Sequence, residues 1–417
     1  MDEKRFNFPQ GFYWGAATSA HQVEGGNVND WSEWEKKNAD RLAGEARNKK
    51  WSDDILKQHP NPLERENYIS GAACDHYNRY VEDFDLARSL GNNAHRFSVE
   101  WSRVEPREGE YNAKEIGHYR NVISALRARG LEPFLTIYHW TQPLWFRDKG
   151  AWLNSAAPQD FARLAGRLAQ EFSGTGLKFW LTLNEPMIYA FNGYLRGVRP
   201  PHKQNPFAYY KVINNLIRAH IAAYRAVKSI QPDAKVGITK NNIYFESAGG
   251  WVNGILKYAA DWWWNFRFLN KISGHLDFIG LNHYFHNRIN YGFNKNANKK
   301  VSDMGWELYP EALYRVLLDL KKYRLPVYIT ENGLADVADS RRAWFLAESL
   351  KNVAFAIKEG ADVRGYFHWS LLDNFEWDKG FWPRFGLAEV NYRTQERRFR
   401  SSAGVYAEIC RNNFMFL

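Results

Sequence analysis

The sequence predicts an α/β fold, a single (β/α)8 TIM barrel with elaborated βα loops, and two observations carry that prediction. Eight short apolar runs alternate with amphipathic helical stretches along the 417 residues. Within each run the apolar residues are consecutive rather than alternate, as in parallel strands covered on both faces. No linker, internal repeat or low-complexity tract breaks the alternation, so residues 1–417 are expected to form one domain. An open doubly wound sheet is the rival arrangement of the same elements.

The strands are expected, in order, within "FYWGAATSA" (12–20), "AHRFSVEW" (94–101), "EPFLTIYHW" (132–140) and "KFWLTLNEP" (178–186). They continue within "KVGITKN" (235–241), "DFIGLNHY" (277–284), "PVYITENG" (326–333) and "VRGYFHWSLL" (363–372). Between them, Phe161, Leu164, Ala165, Leu168, Ala169 and Phe172 fall at three- and four-residue steps, the signature of one buried helical stripe. The same spacing links Ile213, Leu216, Ile217, His220, Ile221 and Tyr224, and again Leu313, Val316, Leu317 and Leu320. Gly91, Gly130 and Gly360 stand where helices should stop, because glycine takes the left-handed cap conformation without strain. The stretch 36–75, with "QHPNPLEREN" inside it, reads as one long irregular βα loop.

Composition narrows the function. The 18 Trp, 23 Tyr and 27 Phe include rings enough for a core and for a site that stacks flat apolar faces, such as those of pyranose sugars. The net charge of +10 is spread along the chain, densest at "NKNANKK" (294–300) and "RRFR" (397–400), with no nucleic-acid motif; a solvated basic surface is the expectation. Cys74 and Cys410 make neither a disulfide framework nor a metal pair, and no metal or organic cofactor is implied. The amino-terminal stretch has no long apolar run, so a cytoplasmic location is expected, with no membrane or nucleic-acid partner; no motif sets an oligomeric state.

In such a barrel the carboxyl ends of the strands share one face, where sites form. Six of the eight runs end in polar or aromatic handles, and two of these, "LNEP" and "TENG", carry Glu185 and Glu331. On the fourth and seventh strands these acids should face each other across the mouth. Two opposed carboxyls in a Trp-rich pocket are what glycoside hydrolysis requires, one to protonate the leaving oxygen and one to attack the anomeric carbon or activate water.

"SAHQVEG", "YHW", "TLNEP", "DFIGLNHY", "ITENG" and "HWSLLDNFEW", in this order along nearly the whole chain, resemble the signature of glycoside hydrolase family 1, the retaining β-glycosidases. The resemblance implies a catalytic barrel in which Glu185 is the general acid/base and Glu331 the nucleophile. It further implies that Arg96 and Tyr284 hydrogen-bond the nucleophile. Gln22, His139, Trp140, Asn184, Glu376 and Trp377 would bind the glycone, Trp369 would supply a stacking floor, and Trp306 would line the aglycone side. The substrate class it implies is β-glucosides, with galactosides and fucosides also admissible, and small β-glycosides or oligosaccharides as the partners. Enzymes of this family that act on 6-phosphorylated sugars lack an acid at the place of Glu376, whose charge would repel a phosphate. A 6-phospho-β-glycosidase, a transglycosylase using the same intermediate, and a non-catalytic sugar-binding module are the competing readings.

Three departures from the family pattern stand out. His21 occupies a place usually held by Tyr, the connection between "KVGIT" and "DFIGLNHY" is short, and only "LADVADS" follows "ITENG" before the next helix. The short connections predict a wide aglycone side tolerant of varied leaving groups.

Overall fold

A computed structural model describes residues 5–417. Eight parallel strands close into a barrel in chain order: β1 (Tyr13–Ala17), β2 (Ala94–Ser98), β3 (Glu132–Tyr138), β4 (Phe179–Asn184), β5 (Lys235–Asn241), β6 (Phe278–Asn282), β7 (Val327–Asn332) and β8 (Val363–His368). Each lies inside the run that predicts it. The closure of β8 onto β1, in register from Gly365 opposite Tyr13 to His368 opposite Ala16, removes the open-sheet alternative.

The outer layer follows the same logic. Ala157–Glu171 turns Phe161, Leu164, Ala165, Leu168 and Ala169 inward, and Glu311–Leu320 buries Leu313, Val316, Leu317 and Leu320. In the 25-residue helix Pro206–Ile230, Ile213, Leu216, Ile217 and His220 are buried, while Ile221 and Tyr224 sit at the stripe's edge, half-buried. Gly91, Gly130 and Gly360 all take positive φ, as capping requires.

One expectation needs correction. The stretch 36–75 is not irregular throughout: its first third completes the helix Asp30–Ala46, followed by short turns at Asp53–Leu56 and Arg65–Tyr68. The helix starts at Asn29, whose side chain caps Ser32 while Ser32 caps back, a reciprocal pair that the polar surface of the helix hides from a reading based on apolar periodicity. The stretch still lies between β1 and β2, as an elaborated βα loop.

Aromatic rings plug the bottom of the barrel and leave its top to polar groups. Phe134 of β3 and Phe179 of β4 stack at 4.1 Å, with Phe367, Tyr328 and Phe278 packed around them. Room for these rings comes from Gly15 and Gly237, where a Cβ would meet Phe367 and Phe278 at 2.6 and 2.7 Å. The plug is the floor on which the site rests. Phe134→Ala is expected to cost about 3–5 kcal/mol of unfolding free energy, read from the urea midpoint, because it removes a fully buried ring packed on Phe179, Tyr328 and Phe367.

Candidate active site

At the carboxyl ends of the strands the chain encloses a cavity of about 690 Å³. Gln22, His139, Trp140, Asn184, Glu185, Tyr284, Trp306, Glu331, Trp369, Glu376 and Trp377 all line it. Arg96 lies beneath them, fully buried. The eight strands thus bring every sequence-predicted site residue to one place.

Neighbouring residues on a strand point to opposite faces, so Asn184 and Glu185 share the mouth only because the pleat breaks between them. The pairing of β4 with β5 shifts register after Leu181, and Glu185 takes the left-handed conformation, φ 43° and ψ 59°. Trp140 and Trp377 also have positive φ, 77° and 50°. Such backbone costs on the order of 1 kcal/mol or more per residue and concentrates at sites the surroundings over-determine. The second Asn–acid pair differs from the first. Asn332 turns out of the cavity, donating to the His283 carbonyl and accepting from the Tyr366 hydroxyl at 2.9 Å.

Glu331 is held by charge and by hydrogen bonds. Arg96 Nη1 donates to its Oε1 at 2.5 Å, and the Tyr284 hydroxyl donates to its Oε2 at 2.8 Å. Both contacts favour the ionised carboxylate. Glu185 has weaker support: Asn282 Nδ2 donates to its Oε1 at 2.9 Å and Asn241 at 3.4 Å. Burial, and then the charge of Glu331, push its carboxyl up to about 7. Three side chains join the two acids, since Arg96 Nη2 donates to Asn184 Oδ1 at 2.8 Å and Asn282 reaches that same oxygen at 3.3 Å.

This network also sets the tautomer of His139. Arg96 only donates, so Asn184 must turn Oδ1 toward it and offer Nδ2 to His139 Nε2 at 2.9 Å. His139 therefore accepts through Nε2 and carries its proton on Nδ1, which has no protein partner. Burial and the Arg96 charge keep the ring neutral. The Nδ1 nitrogen is buried away from solvent.

Gln22 is more constrained. Its Nε2 donates to Asn374 Oδ1 at 3.0 Å and the Phe375 carbonyl at 2.8 Å, and Ser19 donates to Oε1, leaving one Oε1 lone pair for a ligand. Trp140 packs against Trp377 at 4.8 Å, His139 lies between Trp369 and Trp377, and Trp306 packs on Tyr284 and Phe285. His21, the residue in place of Tyr, lies outside the cavity lining. It stacks on Trp377 at 5.8 Å and bonds Glu35 and Asn29, so it acts on packing behind the wall.

Burial weakens one argument from sequence. Burial, only partly offset by Arg199, pushes Glu376 up to about 8, so at neutral pH it is mostly an uncharged acid. Repulsion by a Glu376 carboxylate therefore does not exclude phosphorylated sugars. Sequence reasoning also missed Arg199, whose guanidinium lies over Trp140 and donates to Asp378 Oδ1 at 2.7 Å. It missed Asn282 as well, although the "LNHY" motif contains it.

Comparisons with known proteins agree with this geometry. The family model described as Glycosyl hydrolase family 1 matches residues 4–260 and 265–415. β-Glucosidase A of Thermotoga maritima is 34% identical over 460 residues, covering 97% of this chain and 98% of that protein. A β-galactosidase of Pyrococcus woesei is 30% identical over 521 residues, covering 97% of each. Among solved structures, the β-glycosidase from Pyrococcus horikoshii superimposes with a TM-score of 0.86 at 37% identity, covering 99% of this chain and 96% of that one. The β-glucosidase from Thermotoga maritima in complex with glucoimidazole gives 0.87 at 31%, covering 98% and 99%.

The raised carboxyl of Glu376 has a consequence for stability. A carboxyl whose folded value lies above its unfolded value of 4.5 stabilises fully below that value, and the contribution is lost as pH rises through about 8. Glu376→Gln removes this loss. Its stability relative to the parent is expected to rise by about 1–3 kcal/mol between pH 5 and pH 8, read by urea unfolding at each pH; a flat difference would contradict the assignment.

Proposed function

The chain belongs to glycosyl hydrolase family 1 and is a β-glycosidase; on that premise we propose that it hydrolyses β-D-glucosides with retention, through a covalent glycosyl-enzyme intermediate. The observation that carries the reading is the unequal setting of the two acids. Glu331, held by Arg96 and Tyr284, is the group suited to stay ionised as nucleophile. Glu185, pushed up to about 7 by burial and by the other carboxylate, is suited to keep a proton near neutrality.

In the first step Glu185 gives its proton to the glycosidic oxygen while Glu331 attacks the anomeric carbon. The bond to the aglycone breaks, and the aglycone leaves as an alcohol. In the second step the Glu185 carboxylate takes a proton from water. The water oxygen attacks the anomeric carbon and displaces Glu331, restoring both groups. Arg96 neutralises the nucleophile without bonding the sugar. Asn184 and His139 line the cavity where ring hydroxyls would lie, and the Trp369 and Trp377 faces would hold the ring. Trp306 is assigned to the aglycone wall, and the short connections after β5 and β7 favour tolerance toward varied leaving groups.

Relatives named β-glucosidase and β-galactosidase support both hexoses as candidates, and glucosides are the first choice. A kinetic panel of nitrophenyl β-glycosides tests this reading. Hydrolysis of the β-glucoside is expected, with galactoside and fucoside weaker; a preference for 6-phospho-β-glucoside would replace glucosides as the substrate class. Glu331→Ala is expected to lose on the order of 10⁴-fold or more in kcat, with partial rescue by azide to a product of inverted configuration. Absence of rescue, or an inverted product from the parent enzyme, would refute the double displacement. The basic limb of kcat/KM should fall near pH 7 in the free enzyme, where Glu185 loses its proton, and should move up in Asn282→Ala, which removes a bond favouring the ionised form.

A further inference from the structure

A histidine between two acids stands at the wall of the cavity, on groups the proposed chemistry does not use. His286 lies just beyond the "LNHY" end of β6 and lines the cavity. Its Nδ1 is 2.7 Å from Glu307 Oε2, and its Nε2 is 3.0 Å from Glu246 Oε2. Carboxylates only accept hydrogen bonds, so with both acids ionised the ring donates from both nitrogens and carries a positive charge. Such charge-assisted bonds are roughly twice as strong as neutral ones. The His286 side chain is 3% exposed and that of Glu307 6%, whereas Glu246 is 36% exposed and also faces Arg288 at 4.0 Å. The bond to Glu307 is therefore the half of the clamp that water screens least.

The clamp joins three segments. Glu246 belongs to the strand Tyr244–Ser247 after β5, which pairs in parallel with the strand His286–Ile289. Glu307 belongs to a hairpin between β6 and β7, in which Ser302 N donates to the Trp306 carbonyl at 2.8 Å and Leu308 N to the Lys300 carbonyl at 2.9 Å. Trp306, a wall of the cavity, directly precedes Glu307, and its ring packs at 4.7 Å on Phe285, which directly precedes His286. On its far side the hairpin is tied to the connection after β7, where Asp303 accepts from Val337 N and from Arg341, each at 2.7 Å. On the near side Glu307 Oε2 accepts from His286 and from Asn296 Nδ2 at 2.5 Å, while Tyr309 stacks on the imidazole at 4.2 Å.

We infer that His286 is a positioning residue for the aglycone: through Glu307 it fixes the hairpin edge that carries Trp306, and so sets how tightly the leaving-group side of the cavity grips its substrate. A nearly buried carboxylate has to keep its donors. Removing the imidazole therefore drives Glu307 toward water and shifts the adjoining indole. A purely architectural histidine would affect stability and leave every substrate equally well bound. The role in substrate binding rests on the proposed β-glucosidase activity; the clamp itself does not.

Two substitutions and two readouts test the inference. His286→Phe keeps a flat ring on Tyr309 and removes both donors; His286→Asn returns one donor near the place of Nδ1. With nitrophenyl β-glucoside, His286→Phe is expected to raise KM about five- to tenfold while kcat stays within about twofold of the parent. The inhibition constant of free glucose, which has no aglycone, should stay within about twofold, and His286→Asn should recover most of the KM loss. Amide hydrogen exchange, read by mass spectrometry, follows the clamp without reference to activity. Peptides covering 300–308 should exchange about tenfold faster in His286→Phe, with β1 to β4 at the parent rate, which also shows that the variant is folded. Unchanged exchange over 300–308, an equal loss of glucose affinity, or no recovery in His286→Asn would overturn the inference. Were the parent to hydrolyse no β-glucoside, the proposed activity would fall, and the exchange measurement would still uphold or overturn the clamp.

Discussion

A guanidinium with no exposure to water organises the mouth of this barrel. Arg96 cannot shed its charge, and a charge removed from solvent is tolerable only where its donors all find partners. It finds them on three other strands: Thr136 on β3, Asn184 on β4, and both the Thr330 carbonyl and Glu331 on β7. Meeting that demand draws the seventh strand's acid and the fourth strand's amide toward one centre. The amide's orientation follows, and then the imidazole tautomer. One buried cation thus specifies groups on opposite sides of the cavity.

The two acids differ because of what surrounds them. Each is nearly buried. Glu331 is bonded by a full positive charge and a phenol; Glu185 has only neutral amides, and it faces its partner's negative charge. Chemically identical side chains are thereby separated in function. The same principle governs Glu376, whose carboxyl burial raises to about 8, so that its proton is held more tightly than a surface acid's.

The connection after β5 is short, yet it is rich in aromatic residues. A helical rod of this kind has an inner and an outer face. The inner rings close the cavity wall and the outer ones remain in water.

The amino-acid sequence by itself determined the barrel, because consecutive apolar runs and helical stripes are local patterns read directly from side-chain periodicity. It also identified Glu185 and Glu331, since an acid that ends a buried strand is conspicuous in one dimension, and the family resemblance supplied their partners. The tertiary structure alone decided which neighbour of each acid joins the site: Asn184 enters it through a broken pleat, whereas Asn332 turns away to Tyr366. It alone decided that Glu376 is buried, which raises its carboxyl, that Asn282 bonds Glu185, and that Arg199 lies over Trp140. The helix Asp30–Ala46 was missed because its start rests on a capping pair and its face is largely polar. Proton affinities and bond partners depend on residues more than a hundred positions apart in the chain, and no local pattern encodes the burial that sets them.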